Sequence, residues 1–202
     1  MTGDHLPDPF AGQPEWVPRP PRPIVLAPIA GRMDLRGRRV VVGLPGIGWR
    51  ADLRADERVV QGSRTYVPVI PEHEWYRAEA EQIEVFAPLV PAERVWVETV
   101  GAAVDSASTS GGDVVSRLVS LDVPTHRPPV PVLDADSVSG RRVVQMVDSV
   151  EQRDLRAVTE MHTSANGDIC VRVTTEMDWY RWSWSGQTPK TQEAPVHLLW
   201  VE

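Results

Sequence analysis

At 202 residues the chain has room for one large domain or two small ones, either able to bury its own core. Nineteen prolines and fourteen glycines against five methionines and two phenylalanines favour short elements and frequent turns, a β rather than a helical composition. A formal charge of −7 argues against nucleic acid or an anionic membrane as partner, because both are held by basic faces.

Residues 1–18 carry Asp4, Asp8 and four prolines but no apolar run, so they read as an extended arm rather than a signal peptide, and a cytoplasmic protein is expected. A first β module is expected over 19–100. It opens with an extended lead-in, Arg19-Pro20-Pro21 before Ile24-Val25-Leu26, followed by a strand over Arg38–Leu44. Leu44-Pro45-Gly46-Ile47-Gly48 lacks the Lys-Ser/Thr of a phosphate loop and reads as a turn. Next comes a strand over Ile47–Arg54 with Ile47, Trp49, Ala51 and Leu53 inward, then a turn near Gln61-Gly62-Ser63. A strand over Thr65–Tyr76 follows, in which Pro68 and Pro71 remove ladder donors and imply an edge or a bulge. Strands over Ile83–Val90 and Arg94–Thr99 complete a set of five.

Residues 101–125 read as a connection. Ala102–Gly112 is rich in small residues, and Asp113 can cap a short helix to Leu121 on whose face Val114, Val115, Leu118 and Val119 fall. The second module, 126–202, begins with Arg127-Pro128-Pro129. Its alternating run Leu155–His162 leads to Asn166-Gly167, a strong hairpin signal, and a return strand is expected from Ile169 to Trp184.

The two modules are copies. Gly37-Arg38-Arg39-Val40-Val41 recurs as Gly140-Arg141-Arg142-Val143-Val144, and Asp52-Leu53-Arg54-Ala55 as Asp154-Leu155-Arg156-Ala157. Val67–Glu98 aligns with Val171–Glu202 without a gap, with ten identities in 32 positions against about two expected from composition. Trp75 meets Trp179 and Trp96 meets Trp200. The expectation is therefore an all-β, mainly antiparallel chain of two tandem, internally duplicated domains, each a partly open barrel of SH3-like size or a sandwich half, with a short helix in the connection.

Trp49, Trp75, Trp96, Trp179 and Trp200 are expected in the core. On continuous strands Glu72, Glu74 and Tyr76, and likewise Glu176, Asp178 and Tyr180, share a polar face, with Trp182 and Trp184 added in the second copy where the first has Ala78 and Ala80. These eight residues are the candidate partner-binding surface. The plainer explanation is that the carboxylates pair with arginines of a neighbouring strand, such as Arg54 and Arg156.

Catalytic signals are weak. Asp52 and Asp154 lack the Ser/Thr-Gly turn of an aspartic dyad, as the non-equivalent Asp105 and Asp148 do not repair. His73, His126, His162 and His197 have no metal-ligand spacing, and Cys170, the sole cysteine, reads as a buried thiol. No cofactor or metal is implied. The expected function is a non-catalytic protein-interaction or assembly module whose partner is a protein with a basic surface, another copy, or a larger assembly. The alternative is a small hydrolase or ligand-binding protein with a site between the repeats built on Glu72, Glu176 or Asp154.

Overall fold

The computed structural model describes residues 19–29, 33–44, 48–101 and 128–202. The helix expected from Asp113 to Leu121 and the turn residues Pro45, Gly46 and Ile47 lie outside them. In the first module β1 (Ile24–Pro28), β2 (Arg39–Leu44), β3 (Gly48–Ala55), β4 (Val59–Gln61) and β5 (Arg64–Pro71) precede α1 (Glu72–Glu81). Then come β6 (Leu89–Pro91), a turn of 3-10 helix (Ala92–Arg94) and β7 (Val95–Val100). The second module repeats the series: β8 (Val130–Pro131), β9 (Arg142–Val147), β10 (Val150–Ala157), β11 (His162–Thr163) and β12 (Ile169–Thr175). After α2 (Glu176–Ser185) follow β13 (Gln192–Pro195), a 3-10 turn (Val196–Leu198) and β14 (Leu199–Val201).

Every sheet pairing is antiparallel, and the two sheets have the same order strand for strand. The first runs β1-β7-β2-β3-β5-β4 with β6 also on β5, and the second β8-β14-β9-β10-β12-β11 with β13 also on β12. Each sheet curls around its own core, so the chain is two duplicated β domains in tandem. The cores correspond residue by residue: Leu35, Val40, Leu53 and Val67 are buried in one, and Val138, Val143, Leu155 and Val171 in the other. Each such side chain contributes roughly 1.5–3 kcal/mol, enough to hold a small barrel without a disulfide.

The repeated Gly-Arg-Arg motif has a local cause. Gly37 (φ 73°) and Gly140 (φ 79°) adopt left-handed backbone, and a Cβ there would lie 3.4 Å from Trp75 and 3.8 Å from Trp179. The indoles therefore lie over equivalent glycines, although Trp179 also packs on Trp182 where the first copy has Ala78. Their burial corrects the expectation of a tryptophan core: Trp200 is buried, whereas Trp49, Trp75, Trp96 and Trp179 are half-buried at the barrel surface. Trp49 and Trp96 meet edge to face at 6.3 Å.

The main correction concerns β5 and β12, which end at Pro71 and Thr175 instead of continuing to Tyr76 and Trp184. The chain turns into helices there. Thr175 caps α2 by accepting the Asp178 amide at 3.2 Å, and Gln82 (φ 55°) and Gly186 (φ 70°) close the two helices in left-handed backbone. Most of the strand expected over Ile83–Val90 is likewise the loop after α1. The Asn166-Gly167 connection is placed as expected but differs in kind. Only Gly167 is left-handed (φ 90°), its amide closing on Ser164 O at 3.0 Å, while two successive left-handed residues occur at Asp148 and Ser149 between β9 and β10.

Candidate functional site

The helices bring the two copies together. Glu72 and Glu176 are the first residues of α1 and α2, where the positive end of the helix dipole suits a carboxylate. One turn on, Tyr76 and Tyr180 stack on each other with centroids 5.2 Å apart and planes 20° from parallel. Equivalent residues touching one another mark a pseudo-two-fold axis, so the contact between modules is isologous, like that of a symmetric dimer.

Around the tyrosines runs a network of ion pairs. Arg54 lies 3.0 Å from Glu72 and 3.2 Å from Glu176, and Arg156 lies 3.3 Å from Glu176 and 3.3 Å from Glu72. Each arginine thus bridges the carboxylate of its own module and that of the other. Arg54 also donates to the Tyr76 hydroxyl at 2.6 Å, which donates to Glu176 at 2.9 Å; Arg156 donates to Tyr180 at 2.7 Å, which donates to Glu72 at 3.0 Å. The two relays are related by the pseudo-two-fold rotation. The Nε atoms of Arg54 and Arg156 approach their carboxylates at ion-pair distance without aiming a hydrogen at them, so both contacts are coulombic rather than hydrogen-bonded.

Asp52 and Asp154 complete the ring, and the repeated Asp-Leu-Arg-Ala motif has its reason here. Both aspartates take left-handed backbone (φ 57° and 62°) at a β-bulge, a conformation that Asp tolerates better than most residues. Asp154 reaches Arg39 of the first module at 2.6 Å, and Asp52 reaches Arg142 of the second at 3.3 Å and Arg156 at 3.5 Å. The symmetry is imperfect: Arg39 pairs with Glu72 and Glu176, whereas Arg142 pairs with Glu98 at 2.9 Å. Glu202, the counterpart of Glu98, is bound instead by Arg153 of its own module.

Electrostatics follow from crowding. Burial pushes the Glu72 carboxyl up, but Arg142, Arg39, Arg54 and the Tyr180 hydroxyl outweigh it and hold it below the ordinary range. Burial and Glu176 raise the Tyr76 hydroxyl, as burial and Glu72 raise that of Tyr180, so both remain protonated donors. Burial alone would weaken the Arg39 charge, yet Glu176, Glu72 and Asp154 more than restore it.

The eight candidate surface residues thus separate into two groups. Glu72 and Glu176 are 1 % exposed and, with Tyr76 and Tyr180, are engaged inside the molecule; their continuous strand face does not exist. Glu74 and Asp178 lie on the helices at half-buried positions, Asp178 bound by Arg181 at 3.2 Å. Trp182 is 39 % exposed and meets Trp179 edge to face at 5.8 Å, and Trp184 is half-buried. Glu72, Glu176 and Asp154 do converge between the modules, as the alternative requires, but onto arginines. Arg39, Arg142 and Asp52 were not singled out from sequence for this role, although the repeated motifs contain all three. Among the described residues no His, Cys, Asp or Glu cluster has the makings of a metal site, and no helix is long and apolar enough to cross a membrane. The chain matches no protein-family model, and neither a curated protein nor a solved structure is similar to it.

Proposed function

We propose that this chain is a non-catalytic protein-interaction or assembly module, two pseudo-symmetric β repeats held in fixed relation so that their differing outer surfaces face a partner. The supporting observation is the charge compensation of the inter-module carboxylates. Glu72 and Glu176 each meet Arg39, Arg54 and Arg156, and a carboxylate so neutralised is a poor general base or nucleophile for a water or a substrate. A buried network of this kind contributes little net stability compared with apolar packing, but it penalises misregistered pairings and so fixes how the modules meet.

The residues left for recognition include Trp182 and Trp184, aromatics absent from the first copy. The test is affinity capture from the encoding organism with the full chain and with Trp182→Ala/Trp184→Ala. Partner capture should vanish while the variant still unfolds cooperatively, because neither Trp182 nor Trp184 belongs to the buried core. Undiminished capture by the folded double variant would remove that surface from the proposal. Turnover of ester or peptide substrates that is lost in Glu176→Gln would favour the hydrolase alternative.

A further inference from the structure

Duplication supplies an internal control, because a surface with no role of its own should drift alike in both copies. The loop after the helix has not. In the first module Ile83, Phe86 and Leu89 are 45 %, 90 % and 41 % exposed, and across β5–β6 Leu89 lies beside Pro68. At the corresponding positions the second module has Gln187, Lys190, Glu193 and Arg172. There the pair across β12–β13 is ionic, Arg172 lying 3.6 Å from Glu193, with the His162 ring of β11 also 3.5 Å from that carboxylate. The same register thus carries an apolar face on one module and a charged ladder on the other.

Charge divides the loops in the same way. Residues 79–88 contain Glu79, Glu81 and Glu84 and no cation, whereas residues 183–192 contain only Lys190, the single lysine of the chain. All three glutamates are exposed; Arg36 approaches Glu79 at 3.9 Å and Arg77 meets Glu81 at 3.0 Å, both pairs lying at the surface. Phe86 is thus an exposed apolar side chain in an acidic stretch, two residues from Glu84. Backbone addition of a strand is disfavoured at β6, since Pro88 and Pro91 offer no amide donor, so the contact would be made by side chains.

Going beyond the assembly reading while resting on it, we propose that Ile83–Leu89 is a docking loop that inserts Phe86 into an apolar pocket rimmed by Lys or Arg on a partner protein. An acidic stretch beside the anchor favours a basic surface and is repelled by an anionic bilayer, which decides between the two macromolecular occupants an exposed phenylalanine could have. A buried aromatic anchor ringed by complementary charge is the usual anatomy of an interface hot spot.

The test places p-benzoylphenylalanine at position 86 of the full chain in the encoding organism, with position 190 as the matched control, and then measures binding of the cross-linked protein in purified form. Cross-linking is expected at 86 and not at 190, to a site flanked by Lys or Arg. Phe86→Asp should weaken binding about 30-fold or more with an unchanged unfolding midpoint. Replacing Glu79, Glu81 and Glu84 by Lys should slow association about tenfold at low salt and much less at high salt. Cross-links only to a second copy, none to any protein, equal capture at 190, affinity indifferent to Phe86→Asp, or binding of the chain to anionic vesicles would each overturn the proposal. If capture survives Phe86→Asp but not Trp182→Ala/Trp184→Ala, the docking loop fails and the assembly reading stands. Capture that survives both sets of changes removes both surfaces.

Discussion

Where the two modules face each other they are nearly interchangeable, and where they face solvent they are not. Arg54, Asp52, Glu72 and Tyr76 have identical counterparts in Arg156, Asp154, Glu176 and Tyr180, and all eight meet at the axis. The loop after the helix and the last turn of the helix share almost nothing, Phe86 standing opposite Lys190 and Ala78 opposite Trp182. Identity between the copies therefore reports how the halves hold together. Difference between them reports what each half presents.

The sharpest way to break this comparison is to remove one buried charge. Glu72→Ala leaves Arg39, Arg54 and Arg156 short of a partner inside the molecule and should cost about 3–5 kcal/mol in urea denaturation, and Glu176→Ala should match it within about 1 kcal/mol. A large inequality would mean that the contact is isologous in geometry but not in energy. Tyr76→Phe and Tyr180→Phe each delete a hydroxyl relaying an arginine to the opposite carboxylate, with an expected loss of about 1.5–3 kcal/mol apiece. Their double variant should lose less than the sum of the singles, because the two rings stack and Arg54 and Arg156 each reach both carboxylates, and a double-mutant cycle measures the difference. The smallest effect is at the glycines. Gly37→Ala and Gly140→Ala, both in left-handed backbone, should each lower stability by about 1 kcal/mol, Gly37 somewhat more because Trp75 is the nearer indole.

Much of the architecture could be read from residues alone. Duplication, antiparallel β character and the strands around Val40, Leu53, Val67 and Val97 followed from repeated motifs and period-two alternation. The helices were missed because Glu72-His73-Glu74-Trp75-Tyr76 fits both periods: alternation puts Glu72, Glu74 and Tyr76 on one face, and helical spacing puts Glu72, Trp75, Tyr76 and Glu79 on another. A preceding run of alternating Val residues made the strand period look continuous. One local signal could have decided it, Thr175-Glu176-Met177-Asp178, the capping pattern of a helix start. Of the site, the pairing of carboxylates with Arg54 and Arg156 was legible as the plainer option. The crossing between modules was not, since no local pattern says that Arg54 will reach a glutamate 122 residues away.

The left-handed aspartates carry a consequence for descent. Asp154 answers to Arg39 and Asp52 to Arg142, so a change at either place alters a contact of its sibling. In lineages where the tandem gene has diverged, such positions should change together or stay still, whereas the loops beyond the helices are free to take up separate careers.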